Sequence, residues 1–311
     1  MKSKLIWILA IIAGLLLLIY VGGSWYFGDL LINRSTSTLA DSQAAMAELG
    51  LPVLSTPENV TIQNGDVSLT GFFYDNEKPG ECAVILLHGY TGTRYSALQY
   101  APLFWERGCD LLAYDARGHG ESSPAFHTYG YHEKQDAQAA YAWLLARTGL
   151  EPEQVGLTGV SYGAATSLQA APLLPETAFI IADSAYESLE AIVSRQAVEQ
   201  FGSWTKPFIP VAFAFASLRA DFDVNAVSPK AAVNDTAVPI LLIHSRTDAY
   251  TPYTHSEAIY ANSNPATTVL HITDWGSAHG RDIFTDFDAF KQLTDEFLAE
   301  YAPDFGISDG R

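Results

Sequence analysis

The pentapeptide Gly159-Val160-Ser161-Tyr162-Gly163 constrains the fold more than any other stretch of the chain. It follows a short apolar run, marked as a buried strand by Val155 and Leu157, and it opens a helix-like segment from Ser161 to Ala171. A serine between glycines at a strand-to-helix junction needs a tight turn, and the turn lifts its hydroxyl into the crevice at the helix N-terminus. The surrounding pattern supplies the sheet such a turn requires. Strand-like Cys82 to Leu87, Cys109 to Tyr114, Gln154 to Thr158 and Ala178 to Ala182 alternate with helix-like Tyr95 to Arg107 and Glu133 to Arg147. Continuously apolar strands suit a parallel sheet covered on both faces, so the alternation predicts an α/β fold. A hairpin precedes it, Val60 to Gln63 and Val67 to Tyr74 about the Asn64-Gly65 turn, followed by a turn at Lys78-Pro79-Gly80.

Strand Val238 to His244, helix Thr254 to Ala261, strand Thr267 to Thr273 and helix Asp282 to Tyr301 complete the pattern. Between Asp183 and Val238 the rhythm breaks for about 55 residues rich in Phe, Ala and Pro, too long for a structureless loop. This interval, about residues 187–236, reads as a small helical cap over the C-terminal edge of the sheet, where open α/β sheets bind ligands.

A nucleophilic serine needs a base, and the base an orienting acid, in the chain order Ser, Asp or Glu, His. Asp248 lies just past the strand Val238 to Ile243, and His279 lies in the loop after the last strand. Of the eight histidines, only His279 combines that order with a strand-end loop. Asp183, at the end of the preceding strand, is the rival acid. The loop His88-Gly89-Tyr90-Thr91-Gly92 closes an earlier strand, so the backbone amides of Tyr90 and Tyr162 are the expected oxyanion donors. Asp115 and His119 share a Gly-rich loop, but one Asp and one His do not make a metal site. No cofactor or metal is expected.

Leu5 to Gly23 is a run of 19 residues without a charge. As a helix it spans roughly 28 Å, close to one bilayer core. Lys2 and Lys4 precede it, whereas Asp29 follows before the first basic residue, Arg34, which places the N-terminus in the cytoplasm and the remainder outside. Residues 1–23 are thus expected to be a transmembrane anchor, 24–57 a juxtamembrane stalk, 58–301 the catalytic domain and 302–311 a tail. A cleaved signal peptide, giving a secreted protein, is the alternative; the run exceeds the usual signal core and lacks an A-x-A site. The aromatics Trp25, Tyr26 and Phe27 could rest at the headgroup level or pack on the globular domain. With 17 Lys and Arg against 35 Asp and Glu, the net charge of −18 repels phosphate backbones, which argues against nucleic acid as a partner.

Taken together, HGYTG at His88 to Gly92, DARGHGES at Asp115 to Ser122, GVSYG at Gly159 to Gly163 and the Asp248 and His279 loops resemble the α/β-hydrolase superfamily over about Asn59 to Tyr301. The chain is most similar to its membrane-anchored extracytoplasmic bacterial branch, near the serine-aminopeptidase-like hydrolases. The resemblance implies an eight-stranded, mostly parallel sheet and ester or amide hydrolysis through an acyl-enzyme. Ser245 departs from it, because such families often carry glycine after the histidine that ends the acid-bearing strand. In the strand order the resemblance implies, the strands of Cys82 and Cys109 are neighbours. Equal depth would set their Cα atoms about 4.8 Å apart, within disulfide range; two buried free thiols are the alternative.

The expected activity is that of a serine esterase acting on a small-molecule ester, with an apolar acyl or aromatic group favoured by the cap. A peptidase of the aminopeptidase or prolyl oligopeptidase type is the runner-up, with Glu187, Glu190 or Glu199 available to hold a substrate amine. A non-catalytic surface binding protein is the third reading.

Overall fold

The computed structural model describes residues 2–49, 54–76 and 81–306. The expected Lys78-Pro79-Gly80 turn, residues 50–53 of the stalk and residues 307–311 of the tail lie outside the described residues.

The chain begins with α1 (Lys2–Ile32) and α2 (Leu39–Glu48). Thr38 and Asp41 form a capping box that starts α2: Asp41 N–H donates to Thr38 Oγ1, and Thr38 N–H to Asp41 Oδ2, both at 3.1 Å. The hairpin β1 (Glu58–Asn64) and β2 (Val67–Tyr74) follows, then β3 (Ala83–Leu87). The helix expected over Tyr95 to Arg107 is instead α3 (Arg94–Ala97) and α4 (Ala101–Trp105), joined by a 3₁₀ turn. Pro102 has no N–H to continue the ladder, so the helix restarts there. Next come β4 (Asp110–Tyr114), α5 (Glu133–Thr148), β5 (Val155–Val160), α6 (Tyr162–Ala170) and β6 (Ile180–Asp183).

The interval between β6 and the next strand is helical, as α7 (Leu189–Phe201), the 3₁₀ segment Ser203–Phe208, α8 (Ile209–Ala220) and α9 (Pro229–Ala232). The chain closes with β7 (Ile240–Ser245), α10 (Thr254–Tyr260), β8 (Thr268–Thr273), α11 (Asp282–Thr285) and α12 (Phe287–Tyr301). One helix was expected over these last two; Asp286 divides them, because its carboxylate caps α12 by accepting from Ala289 N–H at 3.0 Å.

Among the described residues eight strands form one sheet in the order β1-β2-β4-β3-β5-β6-β7-β8. β1, β2 and β4 pair antiparallel, and the rest are parallel. This is the α/β-hydrolase fold with a helical cap. Alternate side chains of the central strands point to opposite faces. Ile85, Leu87, Leu112, Leu157 and Leu242 pack with α5 and α6 through Ala140, Leu144 and Leu168. Val84, Leu86, Leu111, Ile181 and Ile243 pack with α4 and α12 through Phe104, Phe290 and Phe297.

Ala83 pairs with Asp110 across β3 and β4, which brings the preceding residues of the two strands side by side. Cys82 and Cys109 form a disulfide there, with Cα atoms 4.6 Å apart.

α1 runs without a break from the apolar run into the stretch read as a stalk. Residues 3–19 are exposed, whereas Leu31 and Ile32 are buried in a third cluster with Tyr129, Tyr162, Tyr186, Ile192 and Ala216. The last carbonyls of a helix have no intrahelical donor. Here the rest of the fold supplies them: Tyr90 OH (3.2 Å) and Tyr129 OH (2.9 Å) donate to Leu31 O, and His127 N–H to Ile32 O (3.0 Å).

Candidate active site

Ser161 joins β5 to α6 at φ 54° and ψ −109°, a backbone region that costs a non-glycine residue on the order of 1–3 kcal/mol and persists only where the surroundings hold it. They do so from both sides. Ser161 N–H donates to Asp183 O, and Ala165 N–H to Ser161 O, each at 2.8 Å. The flanking glycines are required by close approach: a Cβ on Gly159 would lie 2.6 Å from the Gly163 carbonyl carbon, and one on Gly163 2.7 Å from His88 O. The serine is 8% exposed.

His279 Nδ1 lies 2.6 Å from Asp248 Oδ2, and the other Asp248 oxygen accepts from the amides of Tyr250 (2.9 Å) and Thr251 (2.8 Å). His244 Nε2 is 3.3 Å from Asp248 Oδ2 and 2.7 Å from Thr251 O. Burial alone would raise the Asp248 pKa, but hydrogen bonds from His244 and His279 hold the carboxyl well below the usual range. It is therefore a fixed negative charge. Ser161 and His279 line one cleft, and among the described residues no hydrogen bond joins their side chains.

The rival acid, Asp183, is elsewhere. Its carboxyl is buried, accepts from Tyr100 OH (2.7 Å) and Ser184 Oγ (2.8 Å), and is pushed up to about 6 by burial and by Asp282. Ser184 Oγ in turn accepts from Gly280 N–H at 3.2 Å, so this pair supports the loop that carries His279.

Ser245, the departure from the family pattern, also has a structural role. Its hydroxyl donates to Ser277 O at 2.8 Å, as does that of Thr247, tying the Asp248 loop to the His279 loop. The side chain that glycine would lack links the two loops.

Tyr162 is the first residue of α6, and such N–H groups have no intrahelical acceptor. The loop of Tyr90 approaches from β3, with a Cβ on Gly89 3.9 Å from Ser161 Cβ. The hydroxyls of both tyrosines are held by other groups, that of Tyr90 by Leu31 O at 3.2 Å. Tyr162 OH donates to the buried Glu133 at 2.8 Å, and burial followed by that carboxylate keeps the phenol protonated. Burial pushes Tyr90 up to about 12.

His88 accepts from Ala116 N–H at Nε2 (2.9 Å), which leaves Nδ1 to donate to Gly89 O (2.8 Å). His119 stacks on His127 at 4.3 Å; burial, then His88 beside it, drives its pKa down to about 2, so it stays neutral. Asp115, the other half of the weighed metal pair, is engaged by Arg94 and by the N–H of Glu121.

Above Ser161 lies an apolar cavity of about 120 Å³. Its walls are Ile192, Ile209 and Phe213 from the cap, Tyr129 and Tyr186 from the domain, and Phe27, Leu30 and Leu31 from α1. The α1 wall was missed in the sequence, although its signal was present: the apolar pattern resumes at Trp25 and continues to Ile32. Among the described residues no carboxylate lines this cavity. Glu187 pairs with Lys230 at 3.3 Å, Glu199 with Arg195 at 2.5 Å, and Glu190 is exposed.

The model of the X-Pro dipeptidyl-peptidase (S15) family matches residues 33–293. YqkD of Bacillus subtilis (strain 168), an uncharacterized protein, is 29% identical over 217 residues, which cover 69% of this chain and 70% of YqkD. Two solved structures share the fold. The esterase Pf2001 of Pyrococcus furiosus gives a TM-score of 0.65 at 24% identity, covering 82% of this chain and 93% of its own. The acylaminoacyl peptidase of Pyrococcus horikoshii gives 0.61 at 18% identity, covering 86% of this chain and 44% of its own. One of these acts on esters and the other is a peptidase, so the fold they share does not choose between the two. The chain belongs to the X-Pro dipeptidyl-peptidase (S15) family and is a serine hydrolase of the α/β-hydrolase fold, an esterase or a peptidase.

Proposed function

We propose that the protein is a membrane-anchored serine esterase that cleaves esters of apolar acyl groups through an acyl-enzyme. Ser161 Oγ attacks the carbonyl carbon as His279 takes its proton, and Asp248 fixes the imidazole and stabilises the imidazolium. The amides of Tyr90 and Tyr162 hold the oxyanion. Collapse of the tetrahedral intermediate breaks the carbon–alkoxide bond while His279 protonates the departing alcohol. Water, deprotonated by the same histidine, then releases the acid.

The observation that carries ester over peptide is the cavity lining, which is mostly apolar and has no carboxylate among the described residues to hold a substrate amine. The family match favours dipeptide release as the second reading. Retention of α1 as an anchor is supported by its continuity into the domain: Tyr20 OH donates to Pro207 O at 2.9 Å, a contact that cleavage before Ser24 would remove. Lys2 and Lys4 then mark the cytoplasmic side.

The test is fluorophosphonate labelling of the full chain with Ser161→Ala as control, followed by parallel ester and aminoacyl-amide panels. Labelling lost in the variant, with ester turnover falling about 10⁴-fold or more, is expected. Faster turnover of aminoacyl-prolyl amides than of acyl esters would establish the peptidase instead.

A further inference from the structure

We propose that the substrate is a membrane acyl lipid whose chain passes directly from the bilayer into the cavity, with the anchor helix as one wall of the binding site. The inference rests on the esterase reading above. Three observations support it.

First, the same helix is both the membrane-spanning candidate and the cavity wall. Residues 5–19 are exposed and apolar, and Phe27, Leu30 and Leu31 face the space above Ser161. From Ile19 to Phe27 is eight residues, or about 12 Å along the axis, so the cavity begins within little more than two turns of the exposed apolar stretch. Second, the cap is fixed to α1 at the same level. Tyr20 OH donates to Pro207 O at 2.9 Å, and Phe208 packs against Gly23, with a ring carbon 2.9 Å from where a Cβ would stand. These contacts hold the start of α8 against the turn of α1 that follows the exposed stretch. Third, large side chains stay uncovered where water would meet lipid: Trp25 is 47% exposed, Tyr26 56%, Trp204 59% and Leu218 80%. Aromatic side chains gather at membrane–water interfaces because they present an apolar body and a polar tip. The uncovered set lies on α1 and the cap, both of which contribute walls to the cavity.

The family match begins at residue 33, immediately after α1 ends. The wall is therefore contributed by a segment outside the family match. The bond chemistry is that of the esterase: Ser161 Oγ binds the acyl carbon, the glycerol oxygen leaves with the proton from His279, and water releases the free fatty acid.

The experiment uses full-length protein reconstituted in vesicles of phosphatidylglycerol and phosphatidylethanolamine carrying a labelled acyl chain, mixed in a parallel arm with labelled vesicles that hold no protein. Fatty acid released from lipid sharing the enzyme's bilayer, at least about tenfold faster than from lipid in separate vesicles, is the expected result, because a chain entering along α1 comes from the bilayer that holds α1. Leu30→Trp, which fills the cavity from the α1 side, lowers the ratio of long- to short-chain ester turnover about tenfold. Equal release from both vesicle populations overturns direct entry. No release by protein whose Ser161 still takes fluorophosphonate overturns the lipid substrate and leaves the esterase standing. Failure of the labelling itself overturns the esterase reading and this inference with it.

Discussion

The two halves of α1 are one helix in two surroundings. From residue 3 to 19 every side chain is exposed, and a Cβ added at Gly14 or Gly22 would meet nothing within 4 Å. Further along, one face of the helix is built into the protein interior: a Cβ at Gly28 would lie 2.8 Å from Ala212 O and 3.2 Å from Phe215 Cβ. Asp29 pairs with Arg219 at 2.6 Å, and the Arg219 guanidinium lies 4.8 Å from the centre of the Trp25 ring. An apolar helix face does not specify what covers it; the partner decides, and here the partner changes within a few turns.

Shortening the chain is the strongest way to break this comparison. Protein beginning at Tyr20 is expected to keep its fold and most of its turnover of a water-soluble butyrate ester. Protein beginning at Asn33 loses the buried Leu31 and Ile32, on the order of 5 kcal/mol with their neighbours uncovered. It also loses the Leu31 carbonyl that holds the Tyr90 loop, and a displacement of such a loop costs about 10²-fold in rate. Denaturant melts and initial rates on the two shortened proteins check both figures; equal behaviour would mean that the embedded half is only a tether.

A lesion in the sheet should be indifferent to α1. Replacing Cys82 and Cys109 together by serine removes a cross-link of 27 residues' separation, an expected loss of about 3 kcal/mol. The same decrement should appear in the full chain and in protein beginning at Tyr20. A different decrement in the two would show that α1 and the sheet do not unfold independently.

The glycines give a finer contrast. Gly28→Ala forces its new methyl group against α8 and is expected to cost about 1–3 kcal/mol in detergent unfolding. Gly14→Ala should cost nothing, since no atom stands in the way. The smallest measurable loss belongs to the partly exposed ion pair, for which Asp29→Asn is expected to cost about 0.5–1 kcal/mol, fading at high salt.

Much of the candidate site was legible because its signals are local. The strand-turn-helix context of Ser161 is carried by adjacent residues, and chain order with strand-end placement singled out Asp248 and His279, which are hydrogen-bonded to each other. The helix breaks at Pro102 and Asp286 were misread because each lies within a run whose apolar periodicity continues across it. Glu133 could not be selected: it resembles any helix-opening acid until Tyr162, 29 residues on, donates to it. Nor could His244, which an apolar strand disguises as a core residue.

The sequence by itself determined the alternation that makes the sheet, the turn that carries the serine, the equal depth of the two cysteines and the length of the apolar helix. Each follows from spacing along the chain, because the pleat, the helical turn and the reach of a backbone are fixed distances. Only the tertiary structure decided that the last two turns of that helix wall a cavity over Ser161. Tyr20 meets Pro207, and Asp29 meets Arg219, across 187 and 190 residues. Periodicity states which side of a helix is apolar; packing of distant elements chooses between lipid and protein as its partner.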